Sequence, residues 1–343
     1  MSADRPLLAD LTLRYRRRWI RRRRLWRAFR KRHDLTLLQD NRPAIAPDTI
    51  LCFATLRNEA QRLPFFLDHY RRLGVGQFCV VDNGSDDGST DLLRQQPDVT
   101  LWHTTASYRA SRFGMDWLNW LMRRHAHGRW AVVADADEIL VYPDWDSRPL
   151  PDLTRWLDGQ GRRAMGALML DMYPRGSPDA QSYTPGQDPF EVLNWFDAYG
   201  YWVRRQPKLD NLWLQGGARA RVFFAGDPDR APTLNKIPLL RWHRSYAFMN
   251  STHSALPAHL NRTWVPGGAE TVSGVLLHSK FLPGTAARAV EEKERDEHFQ
   301  VGTRYRDYYE SLTESPDLWC PASTRYDGWR QLVDLGLMTR GDW

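Results

Sequence analysis

Residues 49–90 read TILCFATLRNEAQRLPFFLDHYRRLGVGQFCVVDNGSDDGST. The first eight residues are an apolar run of strand length. Leu63, Phe66, Leu67, Tyr70 and Leu73 then recur at helical spacing until Gly74. QFCVVD at 77–82 predicts a second strand, and a Gly/Ser/Asp turn leads from it into a short helix over 90–96. Outward from this stretch the rhythm continues. A strand is predicted over 99–103 and a helix from Phe113 through Trp117, Trp120 and Leu121 to near Gly128. A fourth strand, 130–134, runs directly into Asp135-Ala136-Asp137-Glu138. Strands alternating with helices imply an α/β protein with a mainly parallel sheet and flanking helices. In such sheets ligands bind outside the carboxyl ends of the strands, and three of these four strands end in polar or acidic clusters.

The 343-residue chain has 42% hydrophobic and 26% charged residues, the balance of a globular protein rather than a disordered or fibrous one. No run reaches the roughly 18 apolar residues of a membrane-spanning helix, and no apolar segment of signal-peptide type follows the basic start. Cys52, Cys79 and Cys320 are an odd count with no metal-type spacing; Cys52 and Cys79, inside apolar runs, read as reduced core thiols, which excludes a disulfide framework, so a cytoplasmic protein is expected. Twelve basic side chains and no acid lie between Arg14 and Arg32, and removing them from the net charge of +7 leaves the remainder near −5. Within that tract Tyr15, Trp19, Trp26 and Phe29 share one side of a helix. Such an arm, residues 1–40, suits an anionic membrane surface, where each basic residue adds about 1 kcal/mol. Its alternatives are an arm that binds nucleic acid and a solvated tail with no fixed partner. Beyond residue 143 the rhythm breaks into a loop-rich part dense in Trp, Tyr, Pro and Gly. A helix returns over 286–299.

Three clusters carry candidate chemistry. On an extended chain Asp135 and Asp137 project the same way. Neighbouring carboxylates at the rim of a core repel unless a cation or a proton offsets them, and hard oxygen ligands suit Mg²⁺ or Mn²⁺ with phosphates completing the shell. The bland alternative is a strand end with helix-capping acids. The second cluster is Asp82-Asn83-Gly84-Ser85-Asp86-Asp87-Gly88-Ser89-Thr90. There a strand-tip carboxylate can accept hydrogen bonds from ribose or from a base N–H, and Gly84 and Gly88 let the backbone turn closely. Its bland reading is a βα turn capped by Ser89. The third is Leu56-Arg57-Asn58-Glu59 at the end of the first strand, either a helix cap or a set of nucleotide contacts.

In this order, R-N-E, D-N-G-S-x-D-G-S and D-x-D-E resemble the motifs of family 2-type glycosyltransferases of bacteria, over about residues 49–143. Weaker likeness continues in LDMYPRG (170–176) and GVLLHSKFL (274–282). The resemblance implies a GT-A fold, a Rossmann-like single domain. It would comprise a donor half at 41–143, a loop-rich acceptor half at 144–300 and an extension at 301–343. It also implies a nucleotide-diphosphate sugar donor, UDP-linked by preference, a divalent cation (Mn²⁺ or Mg²⁺) and a glycan or lipid-linked acceptor. The nucleotide sugar would then be held by Arg57, Asn58, Glu59, Asp82, Asn83, Ser85, Asp87, Arg112, Asp135 and Lys280. The metal would be held by Asp135, Asp137 and His278, although Ser279 stands where relatives carry an aromatic. Asp171 and, after it, Asp197 are the candidates for the base that deprotonates the acceptor. His243 and His253 are candidates for acceptor contact, and the tryptophans of 195–213 for a sugar platform. Two other readings remain: a sugar-nucleotide pyrophosphorylase, whose Gly-rich basic loop is absent from LRNEAQRL, and a nucleotide- or nucleic-acid-binding module without catalysis.

Overall fold

The computed structural model describes residues 7–42, 45–263, 271–295 and 306–343. Residues 1–6 of the expected arm, the end of the helix predicted over 286–299 and the boundary set at 300 lie outside the described residues. Nine strands form one sheet: β1 (Thr36–Gln39), β2 (Ile50–Leu56), β3 (Val75–Asp82), β4 (Val99–His103), β5 (Trp130–Val133), β6 (Glu138–Val141), β7 (Ala164–Asp171), β8 (Asn235–Arg241) and β9 (Gly274–His278). Their spatial order is β1-β4-β3-β2-β5-β8-β7-β9-β6. Six strands run one way, and β1, β6 and β8 run against them. The expected α/β sheet is therefore present. Its second half is more mixed than the alternation of the first half suggests.

The βαβ logic explains the first half. Residues alternate between faces along a strand: Cys52, Ala54, Phe78 and Val80 enter the core on one side of the sheet, and Leu51, Phe53, Cys79 and Val81 the core on the other. Helices α2 (Leu63–Arg72) and α3 (Ser89–Arg94) cover the first side, and α4 (Met115–His125) covers the second. Helix α2 starts with Pro64 in its first turn and ends as Gly74 takes φ +93, a conformation that favours glycine. The chain lays β3 and β4 to one side of β2 and then crosses to lay β5 on the other. The crevice between the carboxyl ends of β2 and β5 is therefore the topological switch point where such sheets take ligands.

The basic tract forms α1 (Leu7–Lys31). It is docked on α4: Ala28 is fully buried, Arg27 pairs at 3.0 Å with the buried Asp116, and the Trp117 indole donates to Asp34. Residues 36–39, expected to belong to the arm, are an edge strand of the sheet. At the other end Leu332, Leu337, Met338 and Trp343 join the main core, and the Trp343 indole donates to the Pro143 carbonyl. Helix α5 (Leu150–Gly159), strands β7 and β8, and the hairpin Tyr201–Gln206/Asn211–Gly216 lie in the part read as loop-rich.

Between α2 and β6, His69 is 1% exposed, and its Nε2–H donates to the Leu140 carbonyl at 2.8 Å. Burial pushes its pKa down to about 4. The unfolded chain then binds one more proton than the native chain between pH 6.5 and 4, so stability falls as pH drops through that window. His69→Gln, which keeps the donor, is expected to lose about 2 kcal/mol less than wild type between pH 7 and pH 5. Urea melts at the two pH values measure the difference, and parallel losses in both proteins would refute it.

Candidate functional site

The site forms where the sheet changes from parallel to mixed. His278, the last residue of β9, is in register with Asp171 of β7 on one side and with Glu138 of β6 on the other. Strand pairing alone thus aligns three ionisable side chains. Strand β8 adds a fourth, Lys236, beside a register shift that contains Pro238. A bulge tolerates the missing proline N–H and re-aims the neighbouring side chains.

Residues 135–137 link β5 to β6 as a turn, with the Glu138 N–H donating to the Asp135 carbonyl at 3.0 Å. The strand parity expected for Asp135 and Asp137 does not apply to a turn, and the two carboxylates find different partners. Lys236 Nζ lies 3.3 Å from Asp135 and 2.7 Å from Glu138. Asp137 Oδ2 lies 3.0 Å from His278 Nε2, and His278 Nδ1 lies 2.7 Å from Asp171 Oδ1. Arg219, from the helix Gly217–Phe223, pairs with the same Asp171 oxygen and approaches His278 Nδ1 at 3.1 Å. Arg62 donates to the Ser279 carbonyl at 3.0 Å and pairs with Glu59 at 2.7 Å. The N–H and hydroxyl of Ser279 both donate to the Asp137 carbonyl, which gives this small polar residue a role that an aromatic at the same position lacks.

The charges follow from these pairings. Burial would raise Asp137, yet His278 beside it, with Arg62 and Lys280 further out, holds its carboxyl well below the usual range. Burial also opposes protonation of His278, but Asp137 and Asp171 on its two nitrogens overcome that and raise its pKa. Asp171, which burial alone would raise, is brought down to about 2 by Arg219 and His278. Burial pushes Glu138 up to about 7, against the pull of Lys236. The cation that adjacent carboxylates require is thus supplied in part by the protein itself, through Lys236, His278, Arg219 and Arg62. Sequence reading missed Lys236, Arg219 and Arg62, and it named Glu138 within the acidic cluster without a role of its own. Lys236 left one trace, a lysine inside an apolar run of a chain with five lysines.

The open side of the cluster is Asp135, whose side chain is 46% exposed, and Asp137, at 22%. Among the described residues no group of three His, Cys, Asp or Glu side chains is placed to hold a metal ion, so Asp135, Asp137 and His278 are not gathered into the expected set. The Asp137–His278 pair does fit two adjacent positions of a cation shell completed by phosphate and water. The carboxylate of Asp171 on Nδ1 is the partner that usually orients a metal-binding imidazole.

The other expected residues are placed as follows. Arg57 donates to the Asn83 carbonyl at 3.3 Å, and its Nε meets Glu291 of the helix Thr285–Arg295 at 3.2 Å. Asn58 (φ +53) receives a backbone N–H from Asp86 and donates its own to Ser85. Asp87 accepts from the Ala60 N–H, and Ser89, read as the helix cap, accepts from the Glu59 N–H instead. The R-N-E and D-N-G-S loops are therefore laced into one wall beside the switch point. A side chain on Gly84 (φ +72) would meet the Arg57 guanidinium at 3.3 Å. Asp82 is wholly buried between His103, Thr90 and Ser85, and Asn83 is bound to the carbonyls of Thr104 and Ala106. Asp82 therefore shapes the wall from within, and the Asn83 side-chain NH2 is taken up by the same wall. Arg112 bonds the Met249 carbonyl among Arg24, Arg27 and Asp116, under α1 rather than beside the acidic turn. Asp171 serves His278 and Arg219. Asp197 carries Arg221 through both of its oxygens, together with the Tyr173 hydroxyl. Asp197 is thus occupied by Arg221, and Asp171 is buried, with its Oδ2 sealed from water and unpartnered. His253 faces inward onto the Asn235 carbonyl at 2.6 Å, and the exposed His243 pairs with Ser245.

No family model matches the chain. Over 114 residues it is 26% identical to a glycosyltransferase family 92 protein of Oryza sativa subsp. japonica, a match that spans 31% of this chain and 18% of that relative. That relative is a glycosyltransferase, as the resemblance implies, but of family 92 and not of family 2, and the chain spans less than a fifth of its length. Among solved structures, the chain is similar to an apo-UDP-glucose pyrophosphorylase (7% identity, 72% of this chain and 99% of the other, TM-score 0.31). It is also similar to a UTP-bound UGPase from Acinetobacter baumannii (10% identity, 77% and 99%, TM-score 0.30). Superpositions this loose carry no functional weight.

Proposed function

We propose that this protein is a glycosyltransferase that moves a sugar from a nucleotide-diphosphate donor, UDP-linked by preference, to a glycan or lipid-linked acceptor. The observation that carries the proposal is the convergence at the sheet's carboxyl edge. The acidic turn 135–138, His278 and the laced wall of the first two strand tips lie where α/β sheets take ligands, and the matched relative is a sugar transferase.

In this reading the donor diphosphate lies over the open carboxylates Asp135 and Asp137. Asp137 and His278 would hold Mn²⁺ or Mg²⁺, and Asp171 would fix the ring of His278. A bound cation stabilises the charge that develops on a departing nucleoside diphosphate without moving a proton. Lys280, whose charge is felt at Asp137, and Arg62 behind it add positive potential on the same side. Arg57, Asn58 and Glu59 border the nucleoside end. There Glu291 accepts from the Arg57 guanidinium at 3.2 Å and from the Asn58 amide at 3.4 Å.

The test is a screen of nucleotide sugars with Mn²⁺, read by thermal shift and by release of nucleoside diphosphate. One donor is expected to raise Tm and to be slowly hydrolysed, and Asp137→Ala should cut that hydrolysis at least a hundredfold. The reading fails if no donor binds, or if Asp137→Ala matches wild type. It also fails if the protein makes pyrophosphate from a nucleoside triphosphate and a sugar phosphate, which marks a pyrophosphorylase.

A further inference from the structure

The outer face of α1 bears Leu11, Tyr15, Trp19 and Trp26, and Phe29 at its edge, which also meets Trp120 of α4 edge-on; each is 48% to 61% exposed. At 100° per residue these five fall within about 80° of arc. Arg22 lies among them. Exposed Arg16, Arg23 and Arg30 border the stripe on one side, and exposed Arg14 and Arg18 border it on the other. Arg22 stacks on Trp19 and Arg30 on Trp26. The opposite face of the helix is used up: Ala28 is buried, Arg27 is held by Asp116, and Arg17 donates to the carbonyls of Pro207 and Lys208.

We infer that this face binds the surface of an anionic lipid bilayer as a preformed platform. The aromatic stripe would be sunk to the headgroup level and the flanking arginines set on lipid phosphates. Tryptophan and tyrosine favour that boundary because one end of each ring is apolar and the other polar, and arginine pairs with phosphate through its planar fork. A second copy of the chain is disfavoured as the occupant, since the exposed arginines that flank the two stripes would face each other. A nucleic-acid groove is disfavoured too. The free surface is one convex helix face whose inner side is already docked on α4, and the rest of the chain is net acidic. Because α1 is held on the folded domain, binding would fix the domain's orientation on the membrane instead of tethering it. The inference does not depend on the sugar-transfer reading.

Flotation of the full chain with vesicles of 7:3 phosphatidylcholine to phosphatidylglycerol tests it. Binding is expected there, at least tenfold weaker on pure phosphatidylcholine, and weakened by raising salt from 0.05 to 0.3 M. Trp19→Ser/Trp26→Ser keeps the net charge and is expected to lose at least tenfold in vesicle affinity with Tm unchanged. Far-UV circular dichroism should show no gain of helix on binding, as suits a helix that is already folded. The inference is overturned if anionic vesicles are not bound or if the double variant binds them as wild type does. Binding of a single-stranded oligonucleotide in place of vesicles, lost in the same variant, also overturns it.

Discussion

Lys236→Met is expected to destabilise the fold by about 3–5 kcal/mol at pH 8, because it removes the cation of a buried pair and leaves Glu138 behind. Both side chains are nearly sealed from water, at 4% and 2% exposure, and their 2.7 Å contact is the shortest that Lys236 makes. Glu138 already has its pKa pushed up to about 7 by burial. Without Lys236 it rises further, and the carboxyl must take up a proton or be buried charged. A group whose folded pKa is raised gives stability that is present below its unfolded value and lost as pH rises. The variant's deficit should therefore be small near pH 5 and grow towards pH 8, opposite in sign to the acid loss assigned to His69. Lys236→Met/Glu138→Gln should recover part of the deficit and flatten the pH dependence. Urea melts of the two variants at pH 5 and pH 8 decide it. A deficit that ignores pH would mean that Lys236 acts by packing alone.

That pair also shows where sequence reading stops. The first half of the sheet was legible because each βαβ unit is local: an apolar run, a helical period and a Gly/Asp turn lie within thirty residues of one another. Cys52 and Leu51 even divide between the two faces as strand parity demands. The second half is assembled from β6, β7, β8 and β9, which are separated by long stretches of Trp, Gly and Pro, and antiparallel pairing across such gaps leaves no local period. Asp135, Asp137 and His278 were identifiable as chemistry-bearing residues. Their partners were not, because strand register selects Asp171 for His278 and a bulge selects Lys236 for Glu138. Asp82 illustrates the reverse error. A carboxylate at a strand tip reads as a ligand group, but His103, in register on β4, and Thr90 turn it inward.

If the protein is the proposed glycosyltransferase, the chain Asp137–His278–Asp171–Arg219 carries the largest expected effect on its activity. His278→Ala removes the imidazole next to Asp137 and is expected to lower donor turnover by at least a hundredfold. Asp171→Asn keeps the size and one hydrogen-bonding oxygen but removes the charge that orients the ring, and should cost roughly 10–100-fold. The two losses should not add, since Asp171 acts through His278: the double variant is expected to match His278→Ala. On the proposed function, the response to Mn²⁺ separates this arrangement from a purely structural one. If Asp171 sets the ring on which Mn²⁺ depends, Asp171→Asn shifts the Mn²⁺ concentration for half-maximal activity upward and recovers part of its rate at high Mn²⁺. If it merely neutralises Arg219, a buried guanidinium is left without its partner. Stability would then fall while the Mn²⁺ curve of the surviving enzyme stays where it was. Activity titrations against Mn²⁺, paired with melts of the same preparations, distinguish the two outcomes, and additive losses in the double variant would break the link between Asp171 and His278.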